Sequence, residues 1–89
     1  MSAPPLRLPR VYPILDTASL ARLQVDPVSA ASALIEAGAR ILQYRHKGHF
    51  TRSHFDEASR IAALCRDAGA MLVMNDRADV ARLLGAALH

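Results

Sequence analysis

The 89-residue sequence has one cysteine, no tryptophan, four glycines and only 4% aromatic residues. A single cysteine excludes both an intramolecular disulfide framework and a CxxC metal site. The first ten residues, MSAPPLRLPR, lack the apolar core of a signal peptide, and no apolar run approaches the ~20 residues of a membrane span. We therefore expect a cytoplasmic protein without a membrane partner.

The sequence also lacks a basic tract. The sequence has 11 lysine and arginine residues against 8 aspartate and glutamate residues, but the positive charges are scattered along the chain. Proteins that wrap nucleic acid concentrate their cations and add aromatic rings for base stacking, and neither feature is present. We expect a small anionic ligand and no nucleic acid.

Short apolar runs begin at Val11, Ile41 and Met71, which are spaced 30 residues apart. The segments between them have the spacing of amphipathic helices, one from Pro27 after the potential cap Asp26, one over about 53–68, and a short one over 78–84. Strands that alternate with helices at this spacing predict βαβ units and a parallel sheet, so the fold class is α/β.

A glycine closes each predicted helix, at Gly38, Gly69 and Gly85, and we expect a left-handed conformation at these positions. The final residues AALH then resemble the beginning of a fourth strand. The periodicity is compatible with two architectures, an open doubly wound sheet or part of a (β/α)8 barrel. Either architecture, when complete, needs more than the 89 residues of this sequence. We expect an unpaired strand edge, which favours self-association.

Polar residues follow the strands at their carboxyl ends, where α/β proteins bind ligands. The first strand ends in Asp16, the second in QYRHK and the third in NDR. Side chains alternate along a strand, so Gln43, Arg45 and Lys47 share one face if the strand stays extended. An amide, a guanidinium and an ammonium on one face predict recognition of a polar ring and a phosphate.

The NDR segment places the carboxylate of Asp76 beside Asn75. Carboxylate oxygens suit Mg²⁺, but Asp76 also precedes a helix, so a metal-ligand role and an N-cap role both stay open. We expect Cys65 to be a buried small hydrophobe, and His49 and His54 to be solvated.

These motifs resemble the thiamine-phosphate synthase (thiamine-phosphate pyrophosphorylase) family. Its members carry Gln-x-Arg-x-Lys after the second strand and Asn-Asp-Arg, followed by hydrophobe-Asp-hydrophobe-Ala, after the third. The corresponding segments here are QYRHK and NDRADVA, and VYPILDT is similar to the family's first strand. The resemblance extends over about residues 11–85.

The resemblance implies the N-terminal part of a (β/α)8 TIM barrel, with three βα units and the start of a fourth strand. Residues 1–9 would be an N-terminal extension and residues 10–89 a partial barrel domain. It also implies an Mg²⁺-dependent transferase of thiamine biosynthesis. This enzyme joins 4-amino-2-methyl-5-hydroxymethylpyrimidine diphosphate to thiazole phosphate and releases diphosphate.

Roles follow from the matching positions. Gln43 would bind the pyrimidine, Arg45 and Lys47 would hold the diphosphate with help from Asn75, and Asp76 would bind Mg²⁺. The family's chemistry is dissociative, with attack of the thiazole nitrogen on a stabilised carbocation. It requires no nucleophilic side chain, and we identify none.

The sequence departs from the family in two ways that matter. His46 replaces an acid inside the second-strand motif, and alternation predicts that it points away from the ligand. The sequence also lacks the family's second metal-binding aspartate and its thiazole phosphate loop, so this chain alone is expected to be inactive. The alternatives are a thiazole tautomerase-like protein, or a non-catalytic barrel fragment that binds a phosphorylated ligand.

Overall fold

The computed structural model describes residues 12–75, 77–85 and 87–88. Within them, strands alternate with helices in the order β1 (Ile14–Asp16), α1 (Thr17–Arg22), α2 (Pro27–Glu36), β2 (Ile41–Arg45), α3 (Arg52–Ala68), β3 (Met71–Met74), α4 (Ala78–Leu84) and β4 (Ala87–Leu88). The predicted α/β class is confirmed, and the predicted fourth strand is present. The proposed extension over residues 1–9 lies outside the described residues.

The strands form one parallel sheet in the order β1-β2-β3-β4. A doubly wound sheet reverses its strand order at a switch point, whereas this sheet adds each new strand on the same side. The consecutive order therefore favours the second of the two architectures and is consistent with part of a TIM-barrel-like fold.

Local sequence signals set the helix ends. Asp26 caps α2 by accepting a hydrogen bond from the Ser29 backbone N–H at 2.9 Å, and Pro27 opens the helix. Gly69 ends α3 at a φ of 71°, in the left-handed region that a glycine enters without the steric penalty of a Cβ. The six-residue α1 was not predicted, because it is too short to show helical periodicity.

One face of the sheet packs against the helices. Its strand residues alternate, as a pleated strand requires, and they join apolar residues of α2, α3 and α4 in one buried cluster. The strand members are Leu15, Leu42, Tyr44, Leu72 and Met74. Cys65 belongs to this cluster at 2% exposure, and burial raises the pKa of its thiol, so the expectation of a buried hydrophobe is confirmed.

The opposite face of the sheet carries the residues of intervening parity. Ile14 and Met71 on this face are 50% and 46% exposed, whereas Gln43, which pairs with Ile14 and Val73, is 3% exposed. Asp16 and Arg45 share the parity of Ile14 and Gln43 and therefore lie on this face, away from the helices. In the part of the chain that the structure describes, no helix combines the length and the apolar character needed to cross a bilayer.

Candidate functional site

The candidate site lies at the carboxyl ends of β1, β2 and β3. Parallel pairing places Asp16 directly opposite Arg45 on the neighbouring strand. Asn75 follows β3, and its backbone N–H donates to the Tyr44 carbonyl at 3.1 Å, so the end of β3 lies beside the end of β2. The sheet thus brings three of the predicted polar strand ends to one edge.

Gln43 is the innermost of the predicted ligand-binding residues. It pairs in register with Ile14 on one side and Val73 on the other, in the middle of the sheet. Its Nε2 donates to the Tyr12 hydroxyl at 3.2 Å. A buried amide that is held in one orientation has a defined donor and acceptor direction, which suits recognition of a polar ring.

Arg45 lies beyond Gln43 on the same face. Its Nε is 3.8 Å from Asp16 Oδ2, a distance that allows charge attraction but is too long for a hydrogen bond. This Nε is buried and has no hydrogen-bond partner among the described residues. The guanidinium is therefore attracted by a carboxylate without being hydrogen-bonded to it.

Asp16 is held mainly by the start of α1. Its Oδ1 accepts a hydrogen bond from the Ser19 backbone N–H at 3.0 Å. This bond, assisted by the Ser19 hydroxyl and by nearby Arg45, holds the pKa of the Asp16 carboxyl below its ordinary value. The carboxylate thus stays charged at neutral pH and partly offsets the positive charge of Arg45.

Lys47 lies just beyond the end of β2, so its place on one face with Gln43 and Arg45 stays a prediction. That prediction assumes an extended chain up to residue 47, whereas β2 itself ends at Arg45 and Lys47 lies in the loop between β2 and α3. It is exposed there and forms no ion pair with any acid that the structure describes. An ammonium in this position is free to contact an anion at the sheet edge.

Asp76 lies outside the described residues, so its proposed role as a metal ligand stays a prediction. The N-cap position of α4, which the sequence allowed for Asp76, is occupied by Arg77, and no side chain among the described residues caps this helix. Asp79 lies in the first turn of α4, where negative charge suits the helix dipole. Across the described ranges, no three His, Cys, Asp or Glu residues form a group that could hold a metal ion.

His46 packs on the helix side of β2, as alternation predicts. Its Nδ1 is 2.6 Å from the Thr17 hydroxyl, and its Nε2 is 3.0 Å from the His49 carbonyl oxygen. Because a carbonyl oxygen only accepts, Nε2 carries the hydrogen, and in the neutral ring Nδ1 accepts from Thr17. The residue that departs from the family motif therefore ties the loop to the start of α1.

Sequence reasoning missed the role of His54. The residue is partly exposed, but its ring stacks on His46 with centroids 3.6 Å apart, and its Nδ1 accepts a hydrogen bond from the Thr51 backbone N–H at 3.1 Å. Thr51 in return accepts from the His54 backbone N–H, which completes a capping box at the start of α3. His49 is exposed, as expected.

Arg77 was also missed. Its Nη2 donates to the Gly48 carbonyl oxygen at 2.7 Å, and its guanidinium carbon lies 5.0 Å from the centre of the Phe50 ring. Phe50 in turn meets Tyr44 and His46 edge-on. The third residue of the NDR motif thus contacts the loop that carries Lys47, a contact between residues 29 positions apart that local patterns cannot reveal.

Comparison with known proteins connects this geometry to a family. The thiamine monophosphate synthase profile (TMP-TENI) matches residues 11–89. The thiamine-phosphate synthase of Caldivirga maquilingensis is 39% identical over 79 residues, which are 88% of this chain and 37% of that protein. The thiamine-phosphate synthase of Acidithiobacillus ferrooxidans is 41% identical over an alignment of 85 positions, which covers 89% of this chain and 37% of that protein.

A third relative is the chloroplastic thiamine biosynthetic bifunctional enzyme TH1 of Arabidopsis thaliana. It is 37% identical over 71 residues, which are 80% of this chain and 14% of that enzyme. The chain thus spans well under half the length of these relatives. The family profile nevertheless covers nearly all of it, and its residues from Val11 onward belong to the thiamine monophosphate synthase family.

Proposed function

We propose that this chain supplies the diphosphate-binding side of a thiamine-phosphate synthase. The proposed reaction joins 4-amino-2-methyl-5-hydroxymethylpyrimidine diphosphate to thiazole phosphate, with release of diphosphate. One observation carries the proposal: the guanidinium of Arg45 is at the carboxyl edge of a parallel sheet with a buried Nε that has no hydrogen-bond partner among the described residues. A phosphate oxygen is the partner that such a group fits.

In this proposal each residue has a defined role. Gln43, buried and oriented by Tyr12, binds the pyrimidine ring. Arg45 grips the diphosphate with its planar fork, Lys47 adds a point charge from the loop, and Asn75 contributes an amide. The thiazole phosphate would bind to residues that this chain does not contain.

The proposed mechanism needs no nucleophilic side chain. The bond between the pyrimidine methylene carbon and the diphosphate oxygen breaks, its electron pair leaves with the diphosphate, and the thiazole nitrogen then donates a pair to the carbocation. Negative charge grows on the departing oxygen during the first step. Arg45 and Lys47 stabilise that charge in place, which lowers the barrier in the way that other preorganised cations do.

Mg²⁺ is part of the proposal, with Asp76 as its ligand from this chain. Mg²⁺ commonly takes only one or two carboxylates and completes its shell with water and substrate phosphates, so a single aspartate beside a diphosphate fits its needs. When bound, the metal would neutralise charge on the diphosphate oxygens. Asp16 is a less suitable ligand, because Ser19 and Arg45 already engage its carboxylate.

We further propose that the sheet belongs to a (β/α)8 barrel, that the protein acts in the cytoplasm, and that the 89 residues alone do not complete the reaction. The chain covers 37% of two of its relatives, which supports the last point. Self-association through the edge of the sheet stays a proposal, supported by the need of an edge strand for pairing.

The decisive test is Arg45→Ala in the protein at the length its source cells make, the native-length protein. Loss of a charge-assisted, two-pronged contact of about 1.5–3 kcal/mol should weaken diphosphate binding by ~10- to 150-fold. Arg66→Ala is the matched control, because Arg66 is an exposed arginine in the last turn of α3, at the other end of the sheet. Titration calorimetry with the pyrimidine diphosphate measures both. Equal affinity of the two variants would refute the site.

A further inference from the structure

The loop between β2 and α3 is held from both sides of Lys47. On one side, the His46 ring contacts Thr17 and donates to the His49 carbonyl oxygen. On the other side, the Gly48 carbonyl oxygen accepts a 2.7 Å hydrogen bond from Arg77. Lys47 itself is exposed and lies between these two fixed points. Its backbone therefore has little freedom while both contacts persist.

Arg77 makes the longer-range of the two contacts. It stands in the N-cap position of α4, in the short segment that joins β3 to α4, and reaches across to a loop that begins at the end of β2. Its guanidinium also lies 5.0 Å from the Phe50 ring centre, within the range of a cation–π interaction. A planar guanidinium can satisfy the ring and the carbonyl together, which the compact ammonium of a lysine does poorly.

We propose that Arg77 is a positioning residue, which fixes the β2–α3 loop so that Lys47 is presented beside Arg45 at the sheet edge. This inference rests on the proposed function, since it assumes that Lys47 binds diphosphate. It assigns Arg77 an action through Lys47 rather than a contact with the substrate. The benefit is preorganisation: the loop is ordered before the ligand arrives, so binding does not have to order it.

The test combines a binding measurement with a double-mutant cycle in the native-length protein. Inorganic diphosphate is the probe. We expect Arg77→Ala to weaken its binding about tenfold, as for loss of a partly exposed charge-assisted bond, and Arg77→Lys to recover only part of this. Arg82→Ala, an exposed arginine of α4, is the matched control and should leave binding unchanged.

The cycle with Lys47→Ala separates positioning from direct contact. If Arg77 acts through Lys47, then Arg77→Ala should change the affinity by less than about twofold once Lys47 is gone. The same tenfold loss in both backgrounds would mean that Arg77 touches the ligand, and it would overturn the inference.

Amide hydrogen exchange provides a readout that does not depend on the ligand. Arg77→Ala should speed exchange in the loop around Gly48 to Thr51, and Phe50→Leu should do so to a smaller extent. Unchanged exchange in Arg77→Ala would overturn the inference. By contrast, an Lys47→Ala variant that binds diphosphate as well as the unmutated protein would refute the proposed role of Lys47, whatever the exchange rates show about the loop.

Discussion

Acidification should loosen the start of α3, because His54 completes its cap as a neutral imidazole. His54 Nδ1 accepts a hydrogen bond from the Thr51 backbone N–H, and a protonated Nδ1 can no longer accept one. The ring also stacks on His46 at 3.6 Å. Burial lowers the pKa of His54, and His46, His49 and Arg77 lower it further, whereas Glu57 acts in the opposite direction.

The sign of the effect follows from that shift. The pKa of His54 is lower in the folded protein than in the unfolded chain, where it is about 6.5, so the unfolded chain binds more protons between the two values. Stability from this group is complete above about pH 6.5 and is lost as the pH falls through the folded pKa. The stability lost on acidification should equal the contribution of the capping interaction, which is about 1 kcal/mol. For a barrel of about 150–250 residues, which is the size we propose for the native-length protein, this amounts to roughly 2–4 °C in Tm.

The assay compares Tm between pH 8 and pH 5 for the native-length protein and His54→Gln. Glutamine at this position of a capping box can still accept from the Thr51 N–H, but it does not titrate. We expect the unmutated protein to lose about 1 kcal/mol more than His54→Gln on acidification. His49→Gln is the control, because His49 is exposed and contributes only one of the smaller charge effects that lower the pKa of His54, so most of the pH dependence should remain. Identical pH dependence in the unmutated protein and His54→Gln would refute the reasoning.

Three further predictions concern individual contacts. Asp16→Asn keeps an N-cap acceptor for α1 and should cost less than ~1 kcal/mol, whereas Asp16→Ala should cost about 1 kcal/mol more; equal losses in urea unfolding would contradict this. Tyr44→Phe removes the hydroxyl that donates to Glu57 at 2.7 Å and should lower the free energy of unfolding by about 1–2 kcal/mol. Combining it with Glu57→Gln checks this, because the two losses should not add if the two side chains interact. Asp76→Asn should weaken the Mg²⁺ dependence of diphosphate binding, with Asp79→Asn as control; the same Mg²⁺ titration curve in both variants would remove Asp76 from the metal site.

The regular parts of the fold could be read from the sequence because they repeat. Apolar runs at a fixed interval of 30 residues, with helical spacing between them, predicted β2, β3, α2 and α3. The short α1 was not predicted, since six residues cannot show helical periodicity. Its N-cap residue Asp16 was interpreted only as a site residue. The position of Lys47 depended on where β2 ends, and strand ends are set by pairing rather than by local preference.

The contacts around the loop could not be predicted in the same way. A capping box is recognised from Glu or Gln at its third helical position, so His54 gave no signal there. The bond from Arg77 to Gly48 and the bond from Thr17 to His46 each join residues 29 positions apart. Such contacts arise only when adjacent strands of the sheet bring their carboxyl ends together, and no local pattern encodes them.

The two faces of β2 explain why a buried strand ends in cations. The helix face is satisfied within the fold, because Tyr44 bonds to Glu57 and His46 bonds to Thr17. The opposite face holds Arg45, whose buried Nε has no hydrogen-bond partner in the described part of the chain and approaches Asp16 only to 3.8 Å. An unsatisfied buried donor costs about 1–3 kcal/mol. A phosphate oxygen that accepts a hydrogen bond from that Nε would recover this free energy on binding. The unsatisfied donor in the ligand-free site therefore favours binding of the proposed diphosphate.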